Sequence, residues 1–218
     1  MVQPKIRNRR EEANLNLSPL VLTILAALIF LGLLQRTLDR MRLSDRAALV
    51  IIGLMFVGTY LPDIAIGLLR INIGGALVPL AMIIYLVGTA DTRIEQIRAV
   101  LAIIATTVAI LVVDRVLPQE PGVMFLDPMY AYGIVAGIIG YLAGRSRRSA
   151  FVGATAGVLL ADSLVAFWRI PLGMVQYIGG AGIFDSTLIA GVLAVGTAEL
   201  IGESRELVAP DERRKGKE

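Results

Sequence analysis

Seven long apolar stretches follow one another along the chain, at about 19–35, 47–66, 73–90, 97–114, 128–144, 150–168 and 182–202. Charged residues, or runs containing Gly and Pro, separate them. Each stretch approaches the roughly 20 residues that an α-helix needs to cross the hydrocarbon core of a bilayer. The pattern predicts an all-α, polytopic integral membrane protein of about seven transmembrane helices. The first stretch is the weakest. Without it six spans remain and the N-terminus changes sides. Residues 1–18 form a polar N-terminal tail with no apolar core ahead of a small-residue cleavage site, so no removable signal peptide is expected. Residues 203–218 form a charged C-terminal tail.

Two connectors do not fit the pattern of water-exposed loops. LPDIAIGLLRINIGG (61–75) and RIPLGMVQYIGGAGIFD (169–185) are mostly apolar, yet Gly and Pro break any helical period. At membrane depth such backbone is tolerated only when it is buried in protein or lines a cavity.

The connectors also carry an internal repeat. Leu17-Ser18-Pro19 before the first stretch matches Leu126-Asp127-Pro128 before the fifth, and the same offset carries Ala27 onto Ala136, Ile29 onto Ile138 and Arg36 onto Arg145. Leu61-Pro62-Asp63, followed by Arg70-Ile71, matches Leu160-Ala161-Asp162, followed by Arg169-Ile170, and Gly58 falls on Gly157. Ile73-Gly74-Gly75-Ala76 recurs as Ile178-Gly179-Gly180-Ala181. The repeat divides the chain into a first three-helix unit (19–90), a connector helix and loop (91–125) and a second three-helix unit (126–202). Three spans invert the chain and the fourth restores its direction, so the halves run parallel in a 3+1+3 plan. Its symmetry resembles that of the sugar-transporting SWEET proteins. The likeness is architectural, since neither half has a Pro-Gln signature in its first helix.

Composition supports the class. Of 218 residues 56% are apolar, 22 more are Gly and only 18% are charged, with a mean hydropathy of +0.73. That excludes a soluble enzyme, a disordered chain and a nucleic-acid binder as default readings. There is no Cys and no His, so thiolate chemistry, disulfides, Ser-His-Asp triads and His-rich metal sites are all ruled out. Lys and Arg are distributed fourteen to seven between the two sides of the seven-span plan. The positive-inside rule then puts the C-terminus in the cytoplasm and the N-terminus outside, in a multi-pass cell-membrane protein, although the basic N-tail dissents. The clusters Arg145, Arg147, Arg148 and Arg213, Arg214, Lys215, Lys217 are expected only to fix orientation.

Candidate chemistry therefore falls to Asp and Arg. Asp63 and Asp162 are repeat mates, each followed seven residues later by an arginine, Arg70 or Arg169. On a continuous helix that spacing is two turns and one face. Charge at mid-membrane costs ~2.5–3.5 kcal/mol on insertion scales, so it is paired or lines a polar pathway. One reading pairs each Asp with its Arg to lock the bundle. The other makes Asp63 and Asp162 a ligand site, tuned by Arg70 and Arg169. Asn72, Gly74, Gly75, Gly179, Gly180 and Asp185 at the two IGGA breaks would then present main-chain groups to a cavity. Gln176 and Tyr177 flank the second break. Tyr60, Tyr130, Tyr132 and Trp168 suit an interfacial aromatic belt, and Asp114 and Asp127 sit at extracytoplasmic helix ends. Gly133-x-x-x-Gly137, Gly140-x-x-x-Gly144 and Gly153-x-x-x-Gly157 have the spacing of close helix contacts.

The runs INIGGALVPL (71–80) and YIGGAGIFD (177–185) resemble those of a membrane protein family known as domain of unknown function 1614. The resemblance covers most of the chain from about residue 45. It implies a polytopic membrane protein and supplies no activity or site residues. Three functions follow from the sequence. The first is a small-solute or ion transporter with an Asp-containing site between the repeats. The second is an intramembrane aspartyl hydrolase. Gly180 to Asp185 resembles the Gly-x-Gly-Asp segment of presenilin-like proteases, but two residues intervene before the Asp and no Pro-Ala-Leu follows. The third is a non-catalytic scaffold or subunit. The expected partners are the lipid bilayer, a small solute or cation and, as an open assembly state, a homo-oligomer. No nucleic acid, metal or cofactor is implied.

Overall fold

Leu61-Pro62 ends the first helix in view, because proline disfavours helical backbone in the residue before it. The computed structural model describes residues 43–90, 92–116, 128–180 and 186–208. The apolar stretch 19–35 and the residues Asp127, Ala181 and Asp185 lie outside the described residues. The chain divides into two compact units, Met1–Ile52 and Gly53–Glu218. In the first, Ser44 caps the start of α1 (Asp45–Tyr60), its Oγ accepting from the Ala47 amide at 3.2 Å.

In the second unit the chain leaves α1 into a hairpin of β1 (Ile64–Ile66) and β2 (Leu69–Ile71). Its two-residue turn begins at Gly67, whose φ of 61° suits glycine. A π-helical turn, Ile73–Leu77, runs into α2 (Val78–Gly88). Then come α3 (Arg93–Val116), α4 (Pro128–Gly144) and α5 (Arg147–Arg169). A 3-10 turn, Ile170–Leu172, is closed by Gly173 in the left-handed region. β3 (Gln176–Ile178) and α6 (Ser186–Val208) complete the described chain. Within the described residues the apolar stretches become helices, and α6 takes in residues 203–208 of the expected charged tail.

Helices α3–α6 form a bundle, with α3 closest to α5 and α4 closest to α6. The connector helix of the sequence reading, α3, is therefore an integral part of the packing. Side-chain bonds show the helices alternating in direction. The end of α3 meets the beginning of α4 and the end of α5, through Asp114, Tyr132 and Arg169. At the other pole Glu95 of α3 meets Ser146 before α5, and Arg147 meets Glu199 of α6. Small residues let the helices approach closely: Ala136, Ala150, Ala154, Ala190 and Ala194 form the core with Val158 and Ile110. Gly157 of α5 faces Thr106 of α3, where an added Cβ would lie 2.5 Å from the threonine Cβ. The GxxxG spacings are packing surfaces.

The connectors break the helical pattern, and they do so by forming strands. β2 pairs antiparallel with β1, and β3 pairs parallel with β2 in the register Leu69↔Gln176, Arg70↔Tyr177 and Ile71↔Ile178. Pro62, Gly67 and Gly173 interrupt helical hydrogen bonding, and the triplets Ile-Ala-Ile, Leu-Arg-Ile and Gln-Tyr-Ile satisfy their backbone groups across strands instead. To the helical fold is thus added a three-stranded sheet that joins the two connectors. Asp63 and Arg70 consequently do not share a helical face. Asp63 precedes β1 and Arg70 lies in β2. Asp162 and Arg169 do lie two turns apart on α5.

Two helices, Arg93–Val116 and Arg147–Leu172, are long and apolar enough to cross a membrane. Four further apolar helices of 10–17 residues accompany them.

Candidate functional site

At the pole where α3 and α5 end and α4 and α6 begin, side chains from all four helices and β3 enclose a cavity of about 220 Å³. Its apolar wall includes Ile110, Val158 and Val165. Its polar groups are Asp114, Tyr132, Asp162, Arg169, Gln176, Tyr177 and Ser186. Each element brings one or two of them. Asp114 sits in the last turn of α3, Tyr132 in the second turn of α4 and Ser186 at the start of α6. Gln176 and Tyr177 belong to β3, held in place by their pairing with Leu69 and Arg70. Asp162 and Arg169 project from one face of α5.

Asp114 anchors the arrangement. Its Oδ1 accepts from the Tyr132 hydroxyl at 3.0 Å and its Oδ2 from Arg169 Nη2 at 3.2 Å. One carboxylate therefore joins three helices. With Asp162 on the same wall, the lining carries two carboxylates and one guanidinium beside hydroxyl and amide groups. Such a set can hold a small polar molecule or a positively charged group. Among the described residues no cluster of three or more acidic side chains is placed to hold a metal ion.

The predicted site residues fall in two places. Asp162 and Arg169 line the cavity, together with Gln176 and Tyr177. Asp63, Asn72, Gly74 and Gly75 lie at the root of the hairpin. There Asn72 Nδ2 donates to Asp63 Oδ1 at 2.9 Å, and Asn72 Oδ1 accepts from the Gly75 amide at 2.8 Å. This buried asparagine caps the π-helical turn and fixes the hairpin to it. Gly74 packs on the backbone of α1 at Met55 and Thr59. Arg70 lies across the sheet from Tyr177. Gly179, at φ 66°, presses on the backbone of Gly75 and Ala76, and the Asn72 amide donates to Ile178 O at 3.1 Å. The two IGGA motifs therefore meet each other. Gly180 follows in the turn after β3, and Asp185 lies outside the described residues. Asp63 is not part of the cavity wall that holds its repeat mate. Asp63 is bonded to Asn72, and Arg169 reaches Asp114.

The family model for a protein of unknown function, DUF1614, matches residues 34–196. The chain belongs to this family. The matched span of this DUF1614 member includes every cavity residue from Asp114 to Ser186. No curated protein matches the chain, and no solved structure does.

The DUF1614 span also holds a polar cluster at the opposite pole. Arg148, 3% exposed, donates to Thr89 O at 2.7 Å and lies 3.9 Å from Glu95. Glu95 also accepts from Ser146 Oγ at 3.2 Å, and its carbonyl accepts from Ser149 Oγ at 3.0 Å. Arg147 pairs with Glu199, which lies three residues past the matched span. Arg147 and Arg148 therefore join helices, beyond the orienting role their clustering suggested. The sequence reading also missed Asp114 and Tyr132 as a pair. Asp114 was legible as an acid at a helix end and Tyr132 as an aromatic at a helix start. Nothing in their spacing signalled that the helices bearing them are neighbours.

Proposed function

We propose that the chain is a seven-span membrane protein of 3+1+3 plan that binds and moves a small solute or cation through the cavity lined by Asp114 and Asp162. The cavity carries this reading: two carboxylates, a guanidinium and three hydroxyls converge between helices whose outward faces are apolar. On α3, Ile97, Val100, Leu101, Ile104, Val108 and Val112 are each more than half exposed. A stripe of that length is far larger than the apolar patches that soluble monomers leave in water, and hydrocarbon is the solvent it suits. Parallel pairing of β2 with β3 is what two connectors running the same way along the membrane normal would form. On the positive-inside orientation the cavity opens towards the extracytoplasmic side.

In this reading Asp162 attracts the cationic part of the solute, while Arg169 competes with it for Asp114. A bound positive group near Asp114 weakens the tie between α3 and α5, so occupancy and helix rearrangement are linked. A hydrolase would need two carboxylates sharing one proton. The engagement of both Asp114 oxygens by Tyr132 and Arg169 favours an anchoring role instead.

The test is ligand-dependent thermal stabilisation of the purified protein against inorganic cations, amines, sugars and organic anions. Wild type is compared with Asp162→Asn and Asp114→Asn. A compound that raises the wild-type midpoint and fails on Asp162→Asn is then followed into proteoliposomes. Stabilisation that persists in both variants would remove the cavity as the site. Binding without uptake would leave a receptor or scaffold in place of a transporter.

A further inference from the structure

A second, larger recess of about 530 Å³ adjoins the cavity on the outer side of α3 and α5. Leu111, Leu164 and Val165 make its floor apolar. Arg115 and Arg169, from the last turns of α3 and α5, bring two guanidinium groups to its lining beside the Asp114 carboxylate, and Trp168 and Leu172 complete it. Trp168 is 66% and Leu172 75% exposed, so both face outward. Asp114 and Arg169 belong to the walls of both recesses. Arg115 is exposed and has no carboxylate partner among the described residues, and Arg169 is held to Asp114 through a side chain that remains 37% exposed.

We propose that this groove binds one anionic phospholipid, with its acyl chain along Leu111, Leu164 and Val165 and its phosphate between Arg115 and Arg169. The inference rests on the membrane reading above. Charge complementarity selects the occupant: apolar walls alone would accept any chain, but two guanidinium groups in the lining match a phosphate with a net negative headgroup. An exposed tryptophan beside them is at home at the level of lipid headgroups. The volume falls within the roughly 300–1,000 Å³ range of small-molecule sites. Because Arg169 serves both recesses, a phosphate that engages it draws it from Asp114, and the lipid thereby sets how much negative charge the inner cavity presents. Lipid composition becomes a regulator of the solute site.

The full-length protein is purified in detergent and its unfolding midpoint followed with added phosphatidylglycerol, phosphatidylcholine or inorganic phosphate. Phosphatidylglycerol is expected to raise the midpoint by about 5 °C, the other two by less than about 1 °C. Arg115→Gln, at an exposed position outside the Asp114 pair, should leave the lipid-free midpoint unchanged and at least halve the phosphatidylglycerol shift. Arg169→Gln should abolish it. Equal shifts with the two lipids, an equal shift with inorganic phosphate, or a full shift in Arg115→Gln would each overturn the proposal. Alkaline extraction of cell membranes separates this failure from that of the membrane reading. A chain released by the wash refutes membrane insertion itself, whereas one that is retained but indifferent to lipid charge refutes only the lipid site.

Discussion

Arg169 Nη2 lies 3.2 Å from Asp114 Oδ2, across 55 residues of chain, although Asp162 stands two turns earlier on the arginine's own helix. The contact ties the end of α5 to the end of α3, and Tyr132 adds α4 to the same carboxylate. Both ionised side chains keep some solvent contact, 37% for Arg169 and 22% for Asp114. The pair therefore works chiefly by positioning.

A double-mutant cycle on Asp114→Asn and Arg169→Gln should give a coupling of about 1 kcal/mol, the upper end for pairs that water still reaches. Tyr132→Phe should cost about 1.5 kcal/mol on its own, the lower end for a hydrogen bond to a charged group. Denaturant titration in detergent measures all three. A coupling of zero would mean that the Asp114–Arg169 contact does not hold α5 to α3 and that Arg169 is free to serve another partner.

The helices were legible because each apolar stretch is long and carries clear stops. The bounds 128–144 coincide with α4, where Pro128 opens the helix and Gly144 closes it. The connectors were legible as breaks but not as strands. The triplets at 64–66 and 69–71 are too short to show a period, and β3 finds its partner more than 100 residues away. Asp162 and Arg169 were legible as one helical face. That Asp63 would pair with Asn72 and leave the cavity to Asp114 depended on a hairpin whose geometry is tertiary. Arg148 was hidden by its neighbours: in a row of arginines, composition cannot say which one is buried.

Arg148→Met should be among the most destabilising single changes. It removes a buried cation that bonds Thr89 O and lies 3.9 Å from Glu95, a loss of about 3 kcal/mol. Arg145→Gln, an exposed position three residues earlier, should change stability by less than about 0.5 kcal/mol. Equal effects would show that the cluster acts only through net charge.

Gly157→Ala should cost about 2 kcal/mol, because the new methyl meets Thr106 on α3 and neither helix backbone can retreat without disturbing the alanine core. Gly196→Ala on α6 meets nothing within 4 Å and should gain about 0.5–1 kcal/mol through helix propensity. Thermal midpoints of the two variants, taken side by side, separate steric contact from backbone freedom. A loss at both positions would indicate that glycine is needed for flexibility along the bundle.

Cysteine cross-linking addresses the junction of the two connectors directly, because the chain has no native cysteine. Ile71→Cys with Ile178→Cys joins register partners on neighbouring strands, about 4.8 Å apart, and should form a disulfide readily under mild oxidation. Ile64→Cys with Ile178→Cys spans two strands, about 9.6 Å, beyond disulfide reach, and should not. Both pairs forming equally would mean that the sheet does not hold this order. If the first pair alone forms, the linked protein also bears on transport. Ligand-dependent stabilisation that survives the link while uptake into proteoliposomes stops would place binding in the paired arrangement and make separation of β2 from β3 part of the transport cycle. Retained uptake would confine the moving parts to α3–α6 and leave the sheet as a fixed hinge between the repeats.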